Sequence, residues 1–219
     1  MKVIVTGATG MVGEGVMHIC LQDADIEEVL VIGRRPCGVQ HPKLKEIILP
    51  DLFNLHPVSA QLAGYDACYF CLGITSIGIS ADDYYRTTYT LTMHFGEILS
   101  RLNPQMTFCY ISGAGTDSTE KGRSRWARVK GKTENDLMKL PFRQVFALRP
   151  GFIKSMEGMK KTNPLYKYVG WLFPIGRTLY PAGFVTLEEL SNAMINLARK
   201  GYSKKVIEGK DIIQIARND

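Results

Sequence analysis

Two rhythms of apolar residues alternate along the chain. Short apolar runs at residues 2–6, 28–32, 46–49, 67–71, 107–111 and 144–148 read as strands, because their apolar character is nearly continuous. Between them, apolar residues recur at intervals of three and four. This predicts helices at residues 11–21, 81–102 and 125–140, the last with Trp126, Val129, Thr133, Leu137 and Leu140 at helical spacing. Thr186 and Glu189 have the spacing of a capping box, so a helix starts there and stops at Gly201. Val206, Ile207, Ile212, Ile213 and Ile215 predict one or two closing strands. Strands alternating with helices predict an α/β fold, a doubly wound parallel sheet in three layers. Residues 153–185 break the rhythm, with Pro164, Pro174 and Pro181 set among Tyr166, Tyr168, Trp171, Leu172 and Phe173. They are expected to form a small C-terminal substrate lobe over the carboxyl ends of the strands, within one domain spanning 1–219. A packed lobe without a ligand role stays open.

Composition narrows this little. The 219 residues are 45% hydrophobic and 22% charged, which is ordinary for a globular chain with a substantial core. No apolar run is long enough to predict a membrane span. The opening MKVIVTGATG enters a strand at once, without a signal-peptide pattern, and a cytoplasmic location is expected. The five cysteines do not form a secreted disulfide framework. Cys68 and Cys71 stand three apart on a strand and point to opposite faces, so they read as core rather than as metal ligands. The four histidines show no metal spacing. A net charge of +6 suits nucleic acid, anionic lipid or an anionic small molecule alike. Lys121, Arg123, Arg125, Arg128, Lys130 and Lys132 crowd around Trp126, but no nucleic-acid motif accompanies them. A small-molecule partner is expected rather than nucleic acid. A homodimer through the long helices is compatible with the pattern.

The strongest chemical signal is Val5-Thr6-Gly7-Ala8-Thr9-Gly10-Met11-Val12-Gly13, between the first strand and the first helix. Gly7 permits a tight turn, Gly10 lets the backbone approach a pyrophosphate, and Gly13 lets the helix pack closely on the sheet. The helix start then offers N–H groups and the positive end of its dipole to the phosphates, with Thr9, Met11 and Val12 around it. This is a Rossmann-type dinucleotide site. Its spacing, G-x-x-G-x-x-G, resembles the short-chain dehydrogenase/reductase superfamily in its extended and atypical branches, the NAD-dependent epimerase/dehydratase-like proteins. Three further stretches support the likeness: residues 30–36, Cys71-Leu72-Gly73-Ile74-Thr75 and Val129-Lys130-Gly131-Lys132-Thr133-Glu134. Within those branches the chain is similar to the group of the Tat-interacting tumour-suppressor protein.

At the end of the second strand, where NAD binders hold a carboxylate for the ribose, this chain reads Gly33-Arg34-Arg35. Two guanidiniums there favour NADP, with NAD second. The resemblance implies that Asp51 and Leu52 hold the adenine, that Leu72 and Gly73 pass the adenosine ribose, and that Pro150 and Gly151 border the cofactor. It also implies a catalytic serine after the fifth strand and a Tyr-x-x-x-Lys on the next helix, the lysine lowering the tyrosine pKa for proton exchange. Ser112 and Lys130 match the serine and the lysine, but Trp126 stands in the tyrosine's place, and indole only donates. Three readings follow. One is an NADP-dependent oxidoreductase or epimerase-like enzyme on a small carbonyl-type substrate, with another acid such as Tyr84, Tyr85 or Tyr180. A second is a reductase that draws its proton from water. The third is a non-catalytic NADP-binding sensor or interaction protein.

Overall fold

Each central strand is apolar on both sides because both sides of the sheet are covered. The structure, a computed structural model, describes residues 1–159 and 173–217. β1 (Lys2–Thr6), β2 (Glu28–Gly33), β3 (Leu44–Ile48), β4 (Ala67–Phe70), β5 (Thr107–Ile111), β6 (Gln144–Arg149) and β9 (Val206–Glu208) pair in the order β3-β2-β1-β4-β5-β6-β9. All six pairings are parallel. Val3 and Val5 of β1 point into a core shared with α1 (Met11–Gln22) and α6 (Leu187–Lys200). Ile4 points into the opposite core, shared with α3 (Leu91–Leu102) and with Leu137 of α4 (Arg125–Leu137). The same alternation sends Cys68 to the second core and Cys71 to the first. The chain leaves β1 towards β2 and β3, then returns to lay β4 on the other side of β1. The carboxyl ends of β1 and β4 therefore form the switch point where such sheets bind ligands.

Elsewhere the outline differs from the sequence pattern in identifiable places. The long middle helix is three pieces: α2 (Ala81–Tyr85), a π turn at Arg86–Thr90, and α3. The capping box at Thr186 is complete, with its hydroxyl accepting from the Glu189 N–H at 3.0 Å and the Glu189 carboxylate accepting from the Thr186 N–H at 2.9 Å. Gly201 closes that helix at φ 69°. The isoleucines 212, 213 and 215 lie not on a strand but on α7 (Gly209–Ala216). Ile212 and Ile215, three apart, share the face that the first core buries. A short apolar run cannot distinguish these two states by itself.

The C-terminal elements form an extra lobe. β7 (Phe152–Lys154) and β8 (Phe184–Thr186) make a separate two-stranded parallel sheet, with α5 (Phe173–Leu179) beside it. Phe152, Phe173 and Phe184 pack ring to ring at centroid distances of 6.0, 5.6 and 5.9 Å. Arg177 forks onto Glu189 at 2.5 and 3.0 Å, tying α5 to the helix that opens at the capping box. Pro164, Tyr166, Tyr168, Trp171 and Leu172, which the lobe expectation invoked, lie outside the described residues.

Candidate functional site

The glycine loop sits at the switch point, and its three glycines do different jobs. Gly7 has φ 72°, and a Cβ there would lie 2.7 Å from the Cys71 carbonyl oxygen, so the turn is pressed against the end of β4. A Cβ on Gly13 would lie 2.3 Å from the Gly7 carbonyl oxygen, which makes Gly13 the contact between α1 and the loop. Gly10 is different. The nearest atom to a Cβ there would be the Gly7 oxygen at 3.4 Å, an ordinary contact, and its backbone is extended. Its side faces open space. No side chain caps α1. The residues present therefore fit a dinucleotide: a bare backbone cradle and an uncapped helix start where a diphosphate would lie. Thr6 braces the cradle from below. Its Oγ1 accepts from the Cys71 and Leu72 N–H groups at 3.1 and 3.3 Å, a role its place in an apolar run did not signal.

The loop opens onto a cavity of about 540 Å³. Gly7, Thr9, Gly10, Arg34, Asp51, Leu52, Phe53, Leu72, Gly73, Ile74 and Arg86 are among its lining residues. A side cleft of about 70 Å³ reaches Gly33, Arg34 and Arg35 at the end of β2. Asp51 accepts the Phe53 N–H at 2.9 Å, fixing the turn after β3. Met11 and Val12, in the first turn of α1, pack partly into the first core. The residues predicted for the cofactor on sequence thus converge here, except Lys130, Pro150 and Gly151, which belong to the neighbouring place. Arg86 and Phe53 were missed. The Arg86 guanidinium lies 4.8 Å from the Phe53 ring centroid, and Arg86 opens the π turn.

The second place lies at the end of β5. Ser112 is buried, its N–H donating to the Leu148 carbonyl at 2.8 Å. Its Oγ lies 3.0 Å from Thr116 Oγ1, which itself donates to the Gly113 carbonyl at 2.8 Å. With the Thr116 proton so placed, the Ser112 hydroxyl is the donor in that pair. Trp126, half-buried in the first turn of α4, lays its six-membered ring against this loop. Cβ atoms built on Gly113 and Gly115 would lie 3.9 and 3.7 Å from it. One turn on, Lys130 Nζ donates to the carbonyls of Ile111 and Ser112 at 3.2 and 3.4 Å and sits 5.2 Å from the Tyr110 ring centroid. Pro150 joins through its carbonyl, which accepts the Ala114 N–H at 2.9 Å. Gly151 lies beside it, packed on Gly183.

Removal from water brings the Lys130 ammonium down to about 8, against the pull of the Glu134 carboxylate in the other direction. This side chain can therefore hold or release a proton near neutral pH, which the indole cannot. The tyrosines offered as substitutes fare less well. Tyr84 is 1% exposed and its phenol is pushed up by burial. Tyr85 stacks on Tyr89 at 4.8 Å, and Tyr180 is 64% exposed. Of the basic cluster, Arg128 is tied to the carbonyls of Gly122 and Arg123, Lys132 to Asp136, and Lys130 to the end of β5.

A parallel sheet in this strand order, with a glycine cradle at its switch point and a serine–lysine place beside it, defines a dinucleotide-binding protein of the extended short-chain dehydrogenase type. The chain belongs to the NAD dependent epimerase/dehydratase family, whose model matches residues 3–124. It is an NAD(P)-binding protein of the epimerase- and oxidoreductase-like kind. Among curated relatives it is similar to the mitochondrial protein FMP52 of Debaryomyces hansenii, at 22% identity over 90% of this chain and 88% of that one. It is similar to HTATIP2 of Rattus norvegicus at 24% identity over 69% of this chain and 62% of that one. Among solved structures, WbmF of Bordetella bronchiseptica in complex with NAD+ superposes with TM-score 0.68 at 17% identity, covering 98% of this chain and 76% of that chain. UDP-glucuronic acid 4-epimerase of Bacillus cereus in complex with NAD gives 0.67 at 15% identity, covering 99% and 83%.

Two expectations are corrected by these findings. NADP ahead of NAD does not stand, because the family is NAD dependent and solved neighbours such as WbmF, MoeE5 and the Bacillus cereus epimerase are in complex with NAD. The physical error lies in arguing from Arg34 and Arg35 alone. A missing carboxylate removes a repulsion to a 2′-phosphate, but two exposed guanidiniums at the groove edge are well solvated and do not by themselves call for one. A cytoplasmic location does not stand either, because the FMP52 relatives, including those of Debaryomyces hansenii and Coccidioides immitis, are mitochondrial proteins by name. The lack of a signal-peptide pattern bears on secretion and not on an organelle.

Proposed function

We propose that this protein is an NAD-dependent oxidoreductase or epimerase-like enzyme for a small carbonyl-type substrate, working in mitochondria as its FMP52 relatives do. NAD, when bound, gives or takes a hydride. The chain's own residues do the rest. The Gly7–Gly13 backbone and the start of α1 hold the diphosphate, with Thr9, Met11 and Val12 around it and Arg34 and Arg35 at the ribose end. Asp51, Leu52, Leu72 and Gly73 enclose the adenosine. Lys130 supplies a cation, and a proton at Nζ, where the cofactor meets the substrate. Ser112 Oγ orients the substrate oxygen by turning its proton from Thr116 to it. Trp126 closes the place and excludes water, with Pro150 and Gly151 as its far wall. Residues 153–159 and 173–185 cover the strand ends within a single unit.

The observation that carries this reading is the pinning of Lys130 Nζ to two carbonyls at the end of β5, with Trp126 one turn before it on the Gly113–Gly115 loop. The test is NADH oxidation with a panel of small aldehydes and ketones. Turnover that falls at least tenfold in Lys130→Met and in Ser112→Ala supports it. A second reading, an NAD-binding sensor, draws on Trp126 in the place of the phenol. NAD binding without hydride loss on any carbonyl would select that reading instead.

A further inference from the structure

Beneath the Ser112–Lys130 place lies an ion pair that packing alone does not explain. Arg149, the last residue of β6, forks onto Glu134 of α4, Nε to Oε1 at 3.0 Å and Nη2 to Oε2 at 2.5 Å. Its Nη2 also donates to Ser118 Oγ at 2.5 Å and its Nη1 to Glu208 at 3.3 Å. Glu134 is 1% exposed and Arg149 9%. Taking both charges out of water costs several kcal/mol each, and an apolar pair of similar volume often packs equally well. A buried pair of this kind calls for another reason.

Glu134 lies four residues after Lys130, on the same face of the helix. The groups that meet Lys130 Nζ from other elements are neutral: the carbonyls of Ile111 and Ser112, and the Tyr110 ring. Among the described residues, Glu134 is the carboxylate whose charge acts on Lys130. Without a tyrosine at position 126, the charge on this lysine is also the only titrating chemistry the motif retains.

We infer that Glu134 is a positioning residue that keeps Lys130 an ammonium, and that the Arg149 fork exists to hold the Glu134 carboxylate in place on the Lys130 face of α4. The inference rests on the reading of Lys130 as the cation of the site. Its energetics follow from the sign of the charge. A neighbouring carboxylate favours the protonated amine, and burial opposes it. Burial already leaves Lys130 at about 8 with Glu134 in place, so losing the carboxylate takes the midpoint into or below the neutral range.

The test needs no substrate and no cofactor. The intact chain carrying lysine labelled with 13C at Cε is titrated by NMR, and Lys130 is assigned as the resonance missing from Lys130→Met. In Glu134→Gln its midpoint should fall by about 1 unit or more, the effect of removing one adjacent opposite charge. In Glu134→Asp it should stay within about half that. A midpoint unchanged in a folded Glu134→Gln protein overturns the inference. If Glu134→Gln does not fold, Glu134→Gln/Arg149→Met removes a carboxylate that favours the ammonium and a guanidinium that opposes it, so a smaller fall is expected, and a midpoint unchanged or raised overturns the inference. If the midpoint falls as expected but Lys130→Met binds NAD as the parent does, the inference holds and the role given to Lys130 under Proposed function is what fails.

Discussion

The two halves of the site are built on different principles. At the cofactor end, recognition belongs to the backbone. Gly7 is pressed on Cys71, Gly13 on Gly7, and Gly10 presents nothing but main chain to the groove. At the end of β5, the proposed substrate place is built of side chains from three elements. Ser112 follows β5, Trp126 and Lys130 come from α4, and Arg149 ends β6. A backbone cradle accepts almost any sequence that keeps its glycines. A side-chain constellation can change chemistry one residue at a time, and here an indole stands where the family resemblance implies a phenol, four residues before Lys130. The cofactor end therefore speaks for the family, and the β5 end speaks for this protein.

Substitutions sharpen the contrast. The largest effect is expected from Gly13→Val. Its Cβ would meet the Gly7 oxygen at 2.3 Å, so α1 must leave the sheet. Urea unfolding should show a loss of about 3 kcal/mol or more, the upper range for an overpacked contact. Next is Lys130→Met, which removes a charge-assisted donor. Isothermal titration should show NAD bound about tenfold more weakly, the scale of 1.5 kcal/mol for such a bond. The same variant has a pH signature. The folded pKa of Lys130 is depressed, so between about 8 and the ordinary lysine range the unfolded chain binds the extra proton. Parent stability should therefore rise with pH across that window, relative to Lys130→Met, by an amount on the order of 3 kcal/mol. A flat difference would remove the buried ammonium from the account.

Smaller effects are expected from Trp126→Tyr, which restores the family spacing to Lys130. NAD affinity should stay within about threefold, less than one neutral hydrogen bond at its upper limit. Carbonyl reduction should rise only for substrates the pocket already admits. The smallest effect belongs to the Arg34→Ala/Arg35→Ala pair. Both side chains are exposed at the groove edge, and NAD affinity should change by about threefold or less. A larger loss of NAD than Lys130→Met produces would mean that the two ends contribute in the opposite order.

What could be read in the sequence follows the same division. β1, the loop and α1 were legible because strand periodicity, turn geometry and glycine sterics act over adjacent residues. The capping box at Thr186 was legible for the same reason. The isoleucines of α7 were not, because a run that short carries no distinct period. The π turn that Arg86 opens left no trace in the helical pattern around it. Thr116 reaches Ser112 only through the shape of a loop. Glu134 and Arg149 are separated by a strand and a turn. The spacing of Lys130 and Glu134 did place them on one helix face, but nothing in it showed that the face is buried. Cofactor choice was misread where local charge was allowed to speak for a contact that depends on the whole groove.

The most direct test of the account uses Gly10, the one loop glycine whose side faces the groove and not the protein. Thermal unfolding is followed with increasing NAD for the parent and for Gly10→Val. Because a ligand of the folded state alone must stabilise it, NAD at a hundred times its Kd should stabilise the parent by about 2.7 kcal/mol and raise its midpoint. Gly10→Val should melt close to the parent without NAD and gain nothing when NAD is added. An equal rise in both proteins, or none in the parent, would contradict the assignment of this loop as the NAD cradle.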